Sequence, residues 1–278
     1  MGGQSSIRQQ AFDAAAGMAF AKQWAFVDTV PDHCWTWQWL EEDEQLFVEF
    51  PNLGAYAYAR LGTEWHDLDV WQFEWADDPP TRSRITPSRK FSNHFKRSKD
   101  DLLSRGTIEL SKVNGDYLGV IATEILGASA YFAWPDAEQN ATSFYLIFDM
   151  PLVGLNPAPL QRLVSIVHMM SDSMQVKDKA LATRQFLYAN GFESKITEQN
   201  KVVTEEFFDG KDRKIIRTEQ IKKTKRGERK IVSLNYEIGP GDCVPNPIMK
   251  TVSAADYEIH HRYFVRAPLN REVEIDVT

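Results

Sequence analysis

Two short stretches carry the side chains best suited to chemistry. Glu64-Trp65-His66-Asp67-Leu68-Asp69 places one imidazole and three carboxylates within six residues. His66, Asp67 and Asp69 can supply part of an oxygen-rich divalent-metal site, or an acid/base pair. The plainer reading of such a composition is a solvated turn. In Glu258-Ile259-His260-His261-Arg262, strand alternation sends Glu258, His260 and Arg262 to one face and Tyr257, Ile259, His261 and Tyr263 to the other. The adjacent histidines therefore cannot easily share one ligand position. Glu258 beside His260 would favour its protonated form, and His261 on a core face would donate to a backbone carbonyl.

The chain contains no glycine-rich phosphate loop, dinucleotide fingerprint, zinc-protease helix motif, nucleophile elbow or paired-cysteine metal site. No cofactor and no catalytic residue is implied, and the reading leans away from an enzyme. A metal-assisted or acid/base activity at His66, Asp67 and Asp69 is the remaining enzymatic alternative.

Charge is the second source of candidates. The 32 Lys and Arg against 39 Asp and Glu give a net charge of -7, but the signs are segregated. Glu41, Glu42, Asp43, Glu44, Glu49, Glu64, Asp67, Asp69, Glu74, Asp77 and Asp78 face only Arg60. Arg82, Arg84, Arg89, Lys90, Lys96, Arg97, Lys99 and Arg105 then face only Asp100 and Asp101. A second basic run includes Lys211, Arg213, Lys214, Arg217, Lys222, Lys223, Lys225, Arg226, Arg229 and Lys230. Basic residues interleaved with Phe91 and Phe95 suit a polyanion such as nucleic acid. Solvated charge and protection of strand edges by lysine are the competing explanations. The binding candidates are Arg82, Arg84, Arg89, Lys90, Lys96 and Arg97, with Lys222, Lys223, Lys225 and Arg226.

The elements that must position these groups are organised around residues 34–75. That stretch holds six of the eight tryptophans: Trp35, Trp37, Trp39, Trp65, Trp71 and Trp75. Trp35, Trp37 and Trp39 alternate with polar or smaller residues, and Trp71, Phe73 and Trp75 repeat the pattern, predicting two strands with aromatic faces. Core is the first expectation for these rings and an exposed recognition platform the second. Residues 45–50 and 54–60 read as further strands around Pro51-Asn52.

Ahead of the sheet, Ser5 or Ser6 caps a helix to about Val27. Phe12, Ala15 and Ala19, with Gln23 at the polar edge, form one flank, and the helix is expected to pack on the aromatic sheet. Asp77-Asp78-Pro79-Pro80 ends the sheet region. Thr81 to Lys90 reads as an extended basic loop with Pro87, and Ser88 or Ser92 starts a helix to about Ser104. Asn114-Gly115 predicts a tight hairpin between strands 107–113 and 116–124, and a second strand pair, 128–134 and 142–148, flanks a Pro135-Asp136 loop.

After a proline-rich connector, helices at 160–170 and 176–190 form a hairpin that Gly191 terminates, with His168 read as a core or boundary histidine. Strands at 202–208, 213–221, 230–238, 257–265 and 272–277 complete a meander. The expected class is α+β: an antiparallel sheet with an N-terminal helix and a helical hairpin, followed by a mostly antiparallel β-meander. The expected units are residues 1–150, a connector at 151–191, and a basic unit at 192–278.

At 278 residues with 43% hydrophobic and 26% charged residues, this is the composition of an ordinary soluble globular protein. No apolar run is long enough to span a membrane, and no secretory signal is recognisable. Two cysteines, Cys34 and Cys243, make a disulfide framework unlikely and an intracellular, reducing compartment the expectation. Asn140-Ala141-Thr142 matches the glycosylation acceptor pattern but reads as a loop without export. Met1-Gly2-Gly3-Gln4-Ser5-Ser6 satisfies the loose N-myristoylation pattern, the one route to peripheral membrane attachment; a terminus leading into a helix cap is the alternative.

The leading functional expectation is a non-catalytic interaction or structural subunit of a larger assembly. It would bind protein partners or copies of itself through charge-segregated surfaces and exposed aromatics. Nucleic-acid or polyanion binding through residues 82–105 and 211–230 is the alternative.

Overall fold

A computed structural model describes residues 6–30, 36–40, 45–50, 53–77, 86–97, 100, 102–155, 160–173, 175–210, 213–224 and 227–237. It shows an α+β architecture with two antiparallel sheets. Helix α1, Ile7–Thr29, begins where the Ser6 hydroxyl accepts a hydrogen bond from the Gln9 amide at 3.2 Å. Ala15, Ala16, Gly17, Ala19, Ala21 and Ala25 are all buried in α1, and these small residues let three other helices approach closely. Those neighbours are α4, Gly115–Ile125, α5, Leu160–Asp172, and α6, Lys179–Ala189. A Cβ at Gly17 would lie 2.4 Å from Cβ of Phe186 and 2.9 Å from Sδ of Met170, so glycine permits this crossing. The expectation that α1 packs on the aromatic sheet is corrected accordingly. It packs mainly on helices, and its C-terminal end reaches strand residues through Phe26, whose ring meets Phe50 edge-on at 6.1 Å.

The first sheet runs β1, Thr36–Leu40, β2, Gln45–Phe50, β3, Gly54–Trp65, β4, Val70–Phe73, and β5, Thr107–Glu109. Strands β6, Ala130–Asp136, and β7, Ala141–Ile147, form a hairpin that joins it through β7 and β3. Trp37 and Trp39 pair in register with Val48 and Leu46. The register of β3 against β7 shifts between Arg60 and Gly62, and this irregularity changes which side chains share a face. Trp71 and Phe73 on β4 are fully buried, as core aromatics should be. Trp75 does not continue the strand: it belongs to the single helical turn α2, Glu74–Asp77.

Local signals at two other points were overridden. Asn114-Gly115 does not make a hairpin. Asn114 is the N-cap of α4, its side-chain oxygen accepting from the Tyr117 amide at 2.8 Å, and Gly115 opens the helix. A Cβ on Gly115 would fall 2.2 Å from the Phe144 ring, so glycine is needed here for close packing. Pro135 and Asp136 lie inside β6. The turn comes after them, where Asp136 accepts from the Glu138 and Gln139 amides and Asn140 adopts a positive φ of 45°.

The helical hairpin forms as expected, and Leu163, Val167, Met170 and Phe186 enter the same apolar cluster as Phe12, Trp71 and Phe144. His168, however, is exposed, because α5 turns its neighbours Leu163, Val164, Ile166, Val167 and Met170 inward instead. The second sheet runs β11, Gly227–Glu237, β10, Lys214–Thr224, β9, Val202–Phe208, and β8, Glu193–Gln199. Strand β8 is an addition to the predicted meander. Its turn into β9 uses Asn200 and Lys201 at φ of 50° and 64°, the left-handed pair that a two-residue hairpin requires. The strands expected at 257–265 and 272–277 lie outside the described residues.

Gln23, expected at a polar edge, is buried and closes the exposed side of β6. Its Nε2 donates to the Tyr131 carbonyl at 2.8 Å and its Oε1 accepts from the Tyr131 amide at 3.0 Å. Among the described residues β6 pairs with β7 alone, and a helix side chain binds its other edge. Gln23→Leu should leave both Tyr131 groups unpaired and cost about 3 kcal/mol, at roughly 1–3 kcal/mol per unsatisfied buried group. Urea unfolding measures this, and a midpoint equal to wild type would show that the pair contributes nothing.

Candidate polyanion-binding surfaces

Helix α3, Pro87–Arg97, is the first surface. Pro87, expected in an extended loop, is instead its first residue, a position where the missing N–H costs no hydrogen bond. Thr86 precedes it and accepts from the Arg89 amide at 3.3 Å. The helix stops at Arg97, short of the expected Ser104. Ser88, Phe91, Ser92 and Phe95, at positions i, i+3, i+4 and i+7, are buried. Phe91 lies 6.0 Å from Phe73 and 5.1 Å from Phe95. The two serines are satisfied by the main chain, Ser88 donating to the Leu61 carbonyl at 2.8 Å and Ser92 to that of Leu103 at 2.9 Å. These contacts fix the rotation of the helix about its axis.

That rotation turns Arg89, Lys90, Asn93, His94, Lys96 and Arg97 to solvent, with no acidic residue in the helix. Arg89 lies over the Trp75 ring at 5.9 Å, a cation–π contact that holds its guanidinium at the surface. Asp100, the nearest described acid in sequence, is already engaged. It accepts from the Leu102 and Leu103 amides and pairs with Arg8 at 3.6 Å. Among the described residues, Lys90, Lys96 and Arg97 have no ion pair. Arg82 and Arg84 lie outside the described residues.

The second surface is the β10–β11 hairpin. At its base, basic residues are neutralised. Arg213 pairs with Asp209 at 2.6 Å and lies over the Phe192 ring, and Lys214 pairs with Glu206 at 3.4 Å. Arg217, expected to point outward, is buried, paired with Glu219 and set opposite Glu205 in the ladder. Its burial follows from alternation, since it shares a face with buried Ile215, which lies in the main apolar cluster. Glu205 is buried as well and accepts from Arg184 at 2.7 Å and from Ser194 at 3.2 Å. The hydrogen bond to Glu205 raises the pKa of Arg184.

Beyond the base the composition changes. Lys222, Lys223, Lys225, Arg226, Arg229 and Lys230 are accompanied by Glu228 alone. Lys222 and Lys223 lie on β10; Lys225 and Arg226, which connect the strands, are outside the described residues.

The Glu64–Asp69 stretch has a different use. It ends β3 and turns into β4, against the β6–β7 turn. His66 Nε2 lies 2.9 Å from the Thr142 hydroxyl, and the His66 amide donates to the Asn140 carbonyl. Asp67 accepts from the Asn140 side chain at 2.5 Å. Asp69 takes a left-handed φ of 53° and its carbonyl accepts from the Leu110 amide. Glu64 turns to the start of α4 and accepts from the Gly115 amide at 2.6 Å. These bonds tie neighbouring turns together, and among the described residues no group of three or more His, Cys, Asp or Glu side chains is arranged to hold a metal ion. Glu258–Arg262, Cys34, Cys243 and Met1–Ser5 lie outside the described residues. No helix among the described residues is long and apolar enough to cross a membrane.

Asn93 and His94 were not singled out from the sequence as members of the α3 surface. The signal for them is helical spacing: Arg89, Asn93 and Arg97 are successive i, i+4 positions, as are Lys90 and His94. No protein-family model, curated protein or solved structure matches this chain.

Proposed function

We propose that the chain is a non-catalytic binding protein for an anionic polymer, with nucleic acid as the ligand class. The observation that supports this best is the difference between its neutralised and non-neutralised basic residues. Arg213, Lys214, Arg217 and Arg184 are each matched to a carboxylate. The α3 surface carries Lys90, Lys96 and Arg97 without an acidic partner among the described residues. A net negative charge on the remainder is compatible with this, because phosphate contacts act over a Debye length of about 8 Å at physiological salt.

For a protein-interaction role that relies on exposed aromatics, Trp71, Phe73, Phe91 and Phe95 are committed to the core while Trp134, Tyr188 and Phe208 are exposed, and the side chains of Trp35, Trp37 and Trp39 lie outside the described residues. A variant carrying Lys90→Glu, Lys96→Glu and Arg97→Glu should melt close to wild type, because exposed substitutions usually change stability by no more than about 0.5 kcal/mol each. It should bind labelled nucleic acid of any sequence about equally more weakly than wild type, with the salt slope reduced by about 1 per lost contact. Unchanged affinity would remove α3 from the surface. An acidic protein retained in place of nucleic acid would replace this reading with the protein-partner one.

A further inference from the structure

We infer that helix α3 lies in the major groove of B-form DNA with the Asn93 side chain placed to read an adenine, an inference that rests on the proposed nucleic-acid binding. Asn93 is exposed in the interior of the helix, where asparagine is a poor helix former. Other asparagines of the chain have structural work: Asn114 caps α4, Asn140 donates to Asp67, Asn190 donates to the Phe186 carbonyl, and Asn200 takes the positive φ of a turn. The Asn93 amide has no hydrogen-bond partner among the described residues. Its neighbours on the helix surface are Arg89, Lys90, Lys96 and Arg97, at i−4, i−3, i+3 and i+4. At about 100° per residue, Arg89 and Lys96 fall to one side of Asn93, and Lys90 and Arg97 to the other. Ser88, Phe91, Ser92 and Phe95 hold the opposite side of the helix in the core. The amide therefore stands near the crest of the exposed face, between two basic rows.

A duplex groove matches this arrangement, with a phosphate backbone on each side and base edges between. The major groove of B-form DNA, about 12 Å wide, takes a helix whose diameter with side chains is about 10–12 Å, whereas the minor groove, about 6 Å wide, does not. The major groove of duplex RNA is too deep and narrow for side chains to read, which makes the ligand DNA. Single strands are held by stacking their bases on aromatic rings, and α3 offers no such platform. Phe91 and Phe95 are buried, the His94 ring packs at a steep angle on Phe95 at 5.2 Å, and Trp75 carries Arg89. An amide presents a donor and an acceptor side by side, the complement of N7 and N6 of adenine.

The test uses the full chain and selection from labelled DNA duplexes with a randomised centre. Wild type should enrich a short motif with an adenine at one position. Replacing that adenine by another base, or by 7-deaza-adenine, which lacks the N7 acceptor, should weaken wild-type binding about tenfold. Asn93→Ala is an exposed change to a better helix former and should fold as wild type does. It should keep the affinity for unselected duplex and the salt slope, and should bind the adenine and 7-deaza-adenine duplexes equally. The selected sequence should lose its advantage over unselected sequence when presented as duplex RNA or as single-stranded DNA. No base preference, a preference that Asn93→Ala retains, indifference to 7-deaza-adenine, or the same preference in RNA or single strands would each overturn base reading by Asn93 while leaving polyanion binding standing. Wild type that binds none of these ligands would overturn the underlying reading as well.

Discussion

Replacing Trp71 by alanine is expected to lower the stability of the fold by about 4 kcal/mol, within the range seen when a large buried ring is removed. The indole is fully buried, 5.6 Å from the Phe73 ring and 5.5 Å from that of Phe144. It also fills the space beside Gly62, where a Cβ would come within 2.5 Å of the ring. Such a loss would lower the melting temperature by roughly 10 °C in a chain of this size. Trp71→Phe makes the sharper comparison. The indole N–H has no hydrogen-bond partner, so phenylalanine loses volume but removes an unpaired buried donor. The Phe variant should therefore retain most of the stability that the Ala variant loses. Equal losses in urea unfolding would contradict this, showing that the ring volume kept by phenylalanine does not support the site.

Asp13→Ala is expected to cost about 3 kcal/mol through polar groups instead of packing. The Asp13 carboxylate is fully buried in α1, with one oxygen accepting from the Lys177 amide and the other from the Asp178 amide, both at 2.9 Å. Gln9 adds a third donor at 2.8 Å. Asp178 in turn caps α6 by accepting from the Leu181 amide. The carboxylate therefore joins two helices distant in sequence, and its removal leaves two main-chain donors without their partner. Hydrogen bonds to a charged group contribute about 1.5–3 kcal/mol each, against the cost of burying that charge. Asp13→Asn, which keeps one acceptor, should lose less than Asp13→Ala. Urea midpoints at an unchanged denaturant slope measure both, and an Asn variant as unstable as the Ala variant would contradict the account.

These two sites show which parts of the fold could be read from the sequence. Helix α1 was legible because its cap, Ser6, and its apolar spacing are local. The role of Asp13 was not, since the main-chain donors it binds lie more than 160 residues away in the chain. Asn114-Gly115 was misread because the same dipeptide suits a left-handed turn and a helix start. The Tyr117 to Ile121 stretch that follows has the packing of a helix, and Phe144, from another strand, requires the glycine. Strand β8 escaped notice because Glu-Ser-Lys-Ile-Thr-Glu-Gln has little apolar alternation. Its extended form comes with pairing to β9 across the Asn200-Lys201 turn.

The candidate surfaces divide in the same way. The basic content of residues 82–105 and 211–230 is plain from composition. Which of those charges remain available is a property of long-range register and packing. Arg217 was indistinguishable from Lys222 in the sequence, yet one is buried beside carboxylates and the other lies past the last rung that β9 supplies. On α3, Phe91 and Phe95 fix the helix so that Lys90, Lys96 and Arg97 face water.

The most direct test of nucleic-acid binding is a titration of a random-sequence duplex with the intact protein over a series of salt concentrations. The account predicts that the logarithm of the affinity falls linearly with the logarithm of the salt concentration, by roughly 0.9 for each phosphate contacted. Binding that does not change with salt, or no binding at the lowest salt, would contradict it.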